Sequence, residues 1–427
     1  MYHKMPIVTT LATERPKAPP LLSRLTTNFG YLLTGRIASQ GLSLLAMVYL
    51  ARVLLPEAFG KVGFALSIVS YFLILGDMGL ALWGAKQIGT GHAERPYLGN
   101  VISLRLALGI ASFLALCLVM LLMRASHETN LLIFIFGLAV IPNSLTLDWA
   151  FLGMEMMKGV AVVSGARGLA YILLLVAFVK SPQSVMRIPW FFLLAWLCSA
   201  YLSWFLLRLW KADKVPSLTL PSGEWFSILN SSVPVFLYAI LMTSYQSSAT
   251  VLVGWLRDPF QVALYVAAYK PVLAFTYVVQ EYAFSILPIL CSSSQGTSVA
   301  VKSARLLVFA SAVMALVATV FAKPGIRLLY GDSYDQASSA LRILVWSLPA
   351  IAVVGLLSMD RIAKASTRVL LIALTVGFAA QVAVCLVLVP KFGAAGAATG
   401  YLASMLVAAI YLAATHTKIE FVNETNT

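Results

Sequence analysis

Long apolar runs separated by short polar connections make up most of the sequence. Residues 369–389 contain no charged side chain, and residues 101–123 contain only Arg105. A helix needs about 20 apolar residues to cross about 30 Å of hydrocarbon, and in lipid its backbone satisfies its own hydrogen bonds. The pattern therefore predicts an all-α, polytopic membrane protein with about twelve transmembrane helices. The predicted spans are 28–54, 60–84, 98–123, 131–153, 159–179, 188–207, 226–254, 260–288, 304–322, 337–359, 367–389 and 393–415.

The longest polar connection divides these spans into two sets of six. It lies between Arg208 and Glu224 and contains Pro216 and Pro221, and proline in a polar stretch is typical of a boundary. Two similar halves around a midplane site are a common plan for transporters, so we predict two lobes around a central cavity. The predicted domains are a cytoplasmic N-terminal segment at 1–25, an N-lobe at 26–212, a C-lobe at 213–418 and a cytoplasmic tail at 419–427.

The composition agrees with this interpretation and leaves little material for a soluble domain. The 427 residues are 60% hydrophobic and 11% charged, with a mean hydropathy of +0.90. Ordinary soluble chains are about 45–50% apolar and about 25% charged. The cysteines stand singly in or beside apolar runs, so we expect small buried side chains and neither a metal nor a cofactor. They are Cys117, Cys198, Cys291 and Cys385.

Membrane orientation explains the formal net charge of +14. Short cytoplasmic loops accumulate Lys and Arg. With the N-terminus inside, eighteen of the 30 Lys and Arg residues fall on the cytoplasmic side, nine on the other side and three inside spans. This predicts a bacterial inner-membrane protein with both termini in the cytoplasm and no nucleic-acid partner. The first apolar run is too long and too polar for a signal peptide, so we predict a retained span.

The outward loops argue against an enzyme. A membrane enzyme that polymerises or ligates glycans needs acid–base residues that face the periplasm. These loops carry one histidine, His127, and no cluster of acidic residues around it. We therefore predict no catalytic residues.

Arg36 in the first span is one candidate for substrate binding. Ser39, Gln40 and Ser43 follow it at helical spacing, which places all four residues on one face. A charged side chain at the bilayer centre costs about 2.5–3.5 kcal/mol on insertion scales, so it needs a partner or water. Arg36 and Gln40 are therefore predicted to line a cavity. The alternative is that Arg36 reaches back to the cytoplasmic headgroups.

The eighth span carries a second candidate, Lys270. Glu281 lies three turns further along the same face, and Tyr269 and Tyr277 accompany them. Tyr245 in the seventh span belongs to the same tyrosine-rich set, which is typical of a wet surface that binds sugar. Interfacial aromatic belts are the alternative for each tyrosine, and an ion pair with Glu281 is the alternative for Lys270.

The remaining charged residues inside spans have two explanations each. Arg342 and Arg167 can line a cavity or reach towards headgroups. Asp77 and Asp148 can couple transport to an ion or pair with a neighbouring cation. We count Arg342 as a candidate binding residue, and Asp77, Asp148 and Glu281 as candidate coupling or structural carboxylates.

Four stretches of sequence together resemble one known family. LARVLLPEAFGK at 50–61 with LGDMGL at 75–80, LDWAFLGME at 147–155, YG at 330–331 with LRIL at 341–344, and FGAAGAA at 392–398 resemble Wzx-type polysaccharide flippases. These belong to the multidrug/oligosaccharidyl-lipid/polysaccharide exporter superfamily. The similarity covers residues 25–415, and Leu152 stands where the family often has glutamine.

The resemblance implies two six-helix lobes and a substrate linked to undecaprenyl diphosphate, such as an O-antigen or exopolysaccharide repeat unit. It implies membrane lipid, a glycan polymerase and a chain-length regulator as partners. The alternatives are a cation-coupled multidrug antiporter or a lipid II flippase of the same superfamily, and an integral-membrane glycan-processing enzyme. Mid-span Arg36 and Lys270 disfavour the antiporter, because it would need carboxylates that face an organic cation.

Overall fold

The computed structural model describes residues 39–91, 95–123, 125–217, 223–292, 296–363 and 367–424. Within these ranges the regular elements are helices, which confirms the predicted all-α class. They are α1 (39–53), α2 (Pro56–Asp77), α3 (Leu80–Gly89), α4 (Arg95–Leu122), α5 (His127–Gly137), α6 (Val140–Ser144), α7 (Asp148–Gly153), α8 (Met157–Phe178), α9 (Ile188–Trp210), α10 (Glu224–Leu256), α11 (Pro259–Ser292), α12 (Gly296–Val320), α13 (Ala322–Tyr330), α14 (Ala337–Leu344), α15 (Ser347–Ala363), α16 (Thr367–Phe392) and α17 (Ala394–Glu424), with short 3-10 turns at Pro182–Arg187, Ala212–Lys214 and Asp332–Tyr334.

The number of membrane crossings agrees with the prediction. In the described ranges, nine helical stretches are long and apolar enough to cross a membrane, and two bent pairs raise this number to eleven. The bent pairs are α12 with α13, at 75°, and α14 with α15, at 41°. α1, which is described from residue 39 onward, lies in the first predicted span.

The second span is broken where the sequence predicted a continuous helix. α2 ends at Asp77 and α3 begins at Leu80. The two residues between them, Met78 and Gly79, have left-handed backbone angles, with φ of 44° and 76°. A Cβ atom on Gly79 would lie 2.7 Å from the backbone nitrogen of Phe236 in α10. Glycine therefore permits both the left-handed turn and the close contact with α10.

The fourth span is interrupted twice, between α5, α6 and α7. Lipid offers no partners to the backbone groups that such breaks leave free, so neighbouring side chains must supply them. The indole nitrogen of Trp204 in α9 donates to the carbonyl oxygen of Leu145 at 2.8 Å. The backbone nitrogen of Leu147 donates to the hydroxyl of Ser203 at 3.2 Å. α9 thus stabilises the broken segment.

We call α1–α9 the first lobe and α10–α17 the second, and the two meet along α2. In the first lobe α8 packs on α9 and α2 on α4, and in the second α16 packs on α17 and α11 on α15. α2 also packs against α10 and α11 of the second lobe. A Cβ atom on Gly60 would overlap the carbonyl oxygen of Pro259, so only glycine allows the lobes to approach so closely there.

Two of the contacts between the lobes lie at one of the two membrane faces. We call the face at which α17 ends the terminal face, and the other the opposite face. On the opposite face, Nε of Arg52 at the end of α1 donates to the carbonyl oxygen of Leu329 in α13 at 2.8 Å. The ring of Phe59 in α2 packs edge-on against Tyr334, with ring centroids 5.9 Å apart. Both contacts connect the two lobes on this face.

Candidate functional site: a cationic cavity between the lobes

A cavity of about 370 Å³ lies between the two lobes. α1, α2, α8 and α9 of the first lobe and α10 and α11 of the second contribute to its lining. Four of the predicted binding residues lie in this lining: Gln40, Tyr269, Lys270 and Tyr277. Lys270 and Tyr277 are seven residues apart on α11, so the helical period accounts for their shared face.

Lys270 is the cation that the second lobe contributes to this cavity. It lies near the middle of α11 and is partly buried. Among the residues whose side chains the structure describes, no carboxylate lies within ion-pair distance of its ammonium group. Because an unpaired charge in the membrane is costly, this position favours a wet cavity and an anionic ligand.

Arg167 is the cation that the first lobe contributes. Its guanidinium carbon lies 4.1 Å from the ring centroid of Trp196 in α9, and both residues line the cavity. This is a cation–π contact, which orients the guanidinium. Asp148 lies close enough to interact electrostatically with Arg167. The sequence identified Arg167 as ambiguous, because its depth in the span does not reveal which way α8 faces.

Hydroxyl and amide groups occupy the rest of the cavity's polar surface. The hydroxyls of Ser70 in α2 and Ser247 in α10 lie 2.9 Å apart and connect the lobes. Ser67, Gln246 and Thr250 are further polar members of the lining. Such neutral donors and acceptors suit a hydroxyl-rich ligand. The sequence alone does not single out these serines, because serine is also common at helix contacts within membranes.

Tyr245 lies in a neighbouring cavity of about 250 Å³, inside the second lobe. Its hydroxyl donates to the carbonyl oxygen of Leu374 in α16 at 2.9 Å. Tyr269 and Gln246 line both cavities and form part of the wall between them. The structure thus separates Tyr245 from the central cavity, although the sequence grouped it with Tyr269 and Tyr277.

The two predicted carboxylates Asp77 and Asp148 are absent from the described lining of the central cavity. Oδ1 of Asp77 accepts a hydrogen bond from Nε of buried Arg105 at 2.8 Å. Arg105 also donates to the carbonyl oxygen of Thr146 at 2.8 Å, which is in the break before α7. Asp77 therefore joins the end of α2 to α4. Asp148 begins α7, beside Arg167.

The other predicted residues lie outside this cavity or outside the described part of the chain. Arg342 is exposed on α14, because the helix buries its apolar side, including Leu341 and Leu344, against the lobe. The structure therefore does not place Arg342 among the described lining residues. Arg36 lies outside the described residues, and Glu281 lies in α11 but its side chain is not described.

Comparison with known proteins identifies the family. Residues 25–294 match the family described as polysaccharide biosynthesis protein. The chain belongs to this family. A relative in Escherichia coli (strain K12), named "Putative O-antigen transporter", is 22% identical over 326 residues, which are 74% of this chain and 78% of the relative.

Solved structures share the fold of this polysaccharide biosynthesis family member. An inward-facing multidrug resistance MATE family transporter of the MOP superfamily has a TM-score of 0.75 at 16% identity, covering 91% of this chain and 96% of its own. Lipid II flippase MurJ in an inward closed conformation has a TM-score of 0.73 at 15% identity, covering 90% and 87%. These similarities show that the chain shares the fold of these transporters, in agreement with the predicted all-α membrane fold.

Proposed function

We propose that this protein is a flippase that moves an undecaprenyl-diphosphate-linked oligosaccharide, such as an O-antigen or exopolysaccharide repeat unit, across the membrane. The observation that carries the proposal is the pair of cations, Arg167 and Lys270, that line one cavity from opposite lobes. A diphosphate is anionic, and charge-assisted hydrogen bonds to its oxygens are about twice as strong as neutral ones. The family match and the name of the Escherichia coli relative support the same conclusion.

The two cations are suited to bind the phosphate groups of a diphosphate in different ways. A guanidinium binds phosphate oxygens with two parallel hydrogen bonds, whereas an ammonium acts as a point charge. Arg167 is held against Trp196, so it presents a fixed fork. Serine hydroxyls and Gln40 are available for sugar hydroxyls, and the polyprenyl chain stays in lipid. Arg36 stays a predicted contact of the same diphosphate.

Alternating access would move this site from one side of the membrane to the other. In our proposal the lobes at 26–212 and 213–418 rock against each other about the connection that follows α9. The contacts of Arg52 and Phe59 on the opposite face would break when that side opens. Asp77 pairs with Arg105, so among the candidate coupling carboxylates Asp148 and Glu281 are the ones left to test.

A cation-coupled multidrug antiporter is the second candidate, because a MATE transporter shares the fold. The described lining contains Arg167 and Lys270 and no carboxylate, so it would repel an organic cation. A lipid II flippase shares the fold as well, and only the choice of glycan separates it from the proposed function.

Proteoliposomes test the proposal directly. The purified protein is reconstituted with undecaprenyl diphosphate carrying fluorescent N-acetylglucosamine, and a membrane-impermeant reducing agent quenches the outward-facing label. We expect the protein to abolish the protected fraction, whereas Lys270→Ala should leave it as in protein-free vesicles. The same vesicles loaded with ethidium test the antiporter. Ethidium transport without lipid movement would contradict the proposed function.

We further propose that the protein resides in the bacterial inner membrane with both termini in the cytoplasm. A glycan polymerase and a chain-length regulator are its proposed partners, because a flipped repeat unit must next be polymerised. Alkaline phosphatase fused after Thr427 should be inactive, whereas a fluorescent protein at the same site should fluoresce. High phosphatase activity there would reverse the proposed orientation.

A further inference from the structure

The cavity of about 250 Å³ inside the second lobe has no role in the diphosphate site described above. Its described lining comes from α10, α11, α15, α16 and α17, which all belong to one lobe. A cavity within a lobe keeps its shape when the lobes rock against each other, unlike the central cavity. A ligand that enters it would therefore travel with the second lobe.

The chemistry of this lining differs from that of the central cavity. Within the described residues it has aromatic faces, amides and hydroxyls but no charged side chain. An ion would lose its hydration there without a counter-charge. A lipid chain would leave the amides of Gln246 and Gln280 without hydrogen bonds. The aromatic and polar members are Tyr238, Tyr245, Tyr269, Tyr401, Gln246, Gln280, Thr276 and Ser358.

An uncharged sugar matches both parts of this surface. Its C–H faces pack on aromatic rings, and its hydroxyls find donors and acceptors on amide groups, each of which offers both. Tyr269, Gln246 and Leu273 line both cavities, so the two compartments adjoin. Tyr269 packs edge-on against Tyr401, with centroids 5.2 Å apart, so this wall has an aromatic face on the side of the second lobe.

We propose that the cavity inside the second lobe binds the uncharged sugar units of the substrate while Arg167 and Lys270 hold its diphosphate. This inference rests on the proposed function and adds a second compartment to it. It assigns recognition of the glycan to Tyr238 and Gln280, which line only this cavity. It also predicts that the glycan enters one lobe instead of bridging both.

A series of lipids that differ only in their sugars distinguishes binding in the second-lobe cavity from binding of the diphosphate. The probes are undecaprenyl diphosphate with no sugar, with one N-acetylglucosamine, with two, and with a terminal glucuronic acid after the first sugar. Binding is measured to the purified full-length protein in nanodiscs. We expect the second neutral sugar to tighten binding about tenfold, since a few net hydrogen bonds suffice for that gain. A terminal glucuronic acid should not increase the affinity.

Single substitutions then show which residues produce the increase in affinity that the second sugar gives. Gln280→Ala and Tyr238→Ala should remove most of it while the affinity for the sugarless lipid stays within about twofold. The matched controls are Gln336→Ala and Tyr201→Ala, at exposed positions, which should keep the gain. Lys270→Ala should instead weaken binding of every lipid in the series. Thermal unfolding of each variant verifies that it is folded.

Two outcomes would overturn the inference. One is an increase in affinity from the second sugar that persists in both Gln280→Ala and Tyr238→Ala. The other is an equal increase in affinity from neutral and acidic sugars. Failure of the proposed function has a different signature, because the unaltered protein would then not bind sugarless undecaprenyl diphosphate at all.

Discussion

The two cations of the central cavity are held in different ways. Arg167 in the first lobe packs on Trp196 and interacts with Asp148, whereas Lys270 in the second lobe has no carboxylate partner among the described side chains. A positioned guanidinium is ready for its ligand, while an unpaired ammonium gains most from a ligand's charge. Under the proposed function, Arg167 would orient the diphosphate, and the charge of the diphosphate would stabilise Lys270.

Loss of Lys270 should have the largest effect. Lys270→Ala removes the only described cation of the second lobe in this cavity, so we expect transport to fall by at least about a hundredfold with normal accumulation of protein. Lys270→Arg should restore part of it. The measurement is lipid movement in proteoliposomes, with protein quantified by immunoblot. Poor accumulation of Lys270→Ala that Glu281→Gln restores would instead favour a structural ion pair.

Arg167 should have the second largest effect. Arg167→Ala is expected to reduce transport about tenfold to a hundredfold, and Arg167→Lys to recover only part, since lysine lacks the two-pronged fork. Trp196→Leu should reduce it less, because it frees the guanidinium without removing the charge. Full activity of both Arg167→Ala and Trp196→Leu in the same assay would contradict the role proposed for Arg167.

The buried pair of Asp77 and Arg105 should govern stability and not substrate binding. Removal of one partner from a buried pair costs about 3–5 kcal/mol. We expect Asp77→Asn to lower the unfolding temperature and Arg105→Ala to lower it further, because Arg105 also donates to the backbone before α7. Thermal unfolding in detergent measures both. A stable Asp77→Asn protein without transport would make Asp77 a coupling residue.

The exposed pair of Arg327 and Asp335 should have the smallest effect. The guanidinium of Arg327 lowers the pKa of Asp335 below its ordinary value of 3.8. The pair therefore contributes its full stability at pH values above the ordinary pKa of Asp335. This contribution is lost as the pH falls through the lowered pKa, so an experiment at neutral pH measures all of it. Exposed ion pairs contribute little, and Arg327→Ala should leave unfolding temperature and transport unchanged at pH 7. A clear loss of transport would assign this loop to the opening of the opposite face.

The sequence is most informative where one helix alone carries the signal. Lys270 and Tyr277 share a face of α11 because of the helical period, and Gln40 lies on the polar face of α1 that was predicted. It did not separate Tyr245 from them, because residues on different helices have no fixed spacing. The position of Arg342 depended on the rotation of α14, which buries its apolar side.

Length and hydropathy by themselves determined that this chain is a helical membrane protein with about twelve crossings, because hydrocarbon admits few alternatives. Only the tertiary structure decided that Arg167 faces the same cavity as Lys270, that Asp77 pairs with Arg105, and that α2 stops at Asp77. The physical reason is that helical periodicity relates residues within one helix, whereas rotation of a helix and the breaks in it depend on contacts with neighbours distant in sequence.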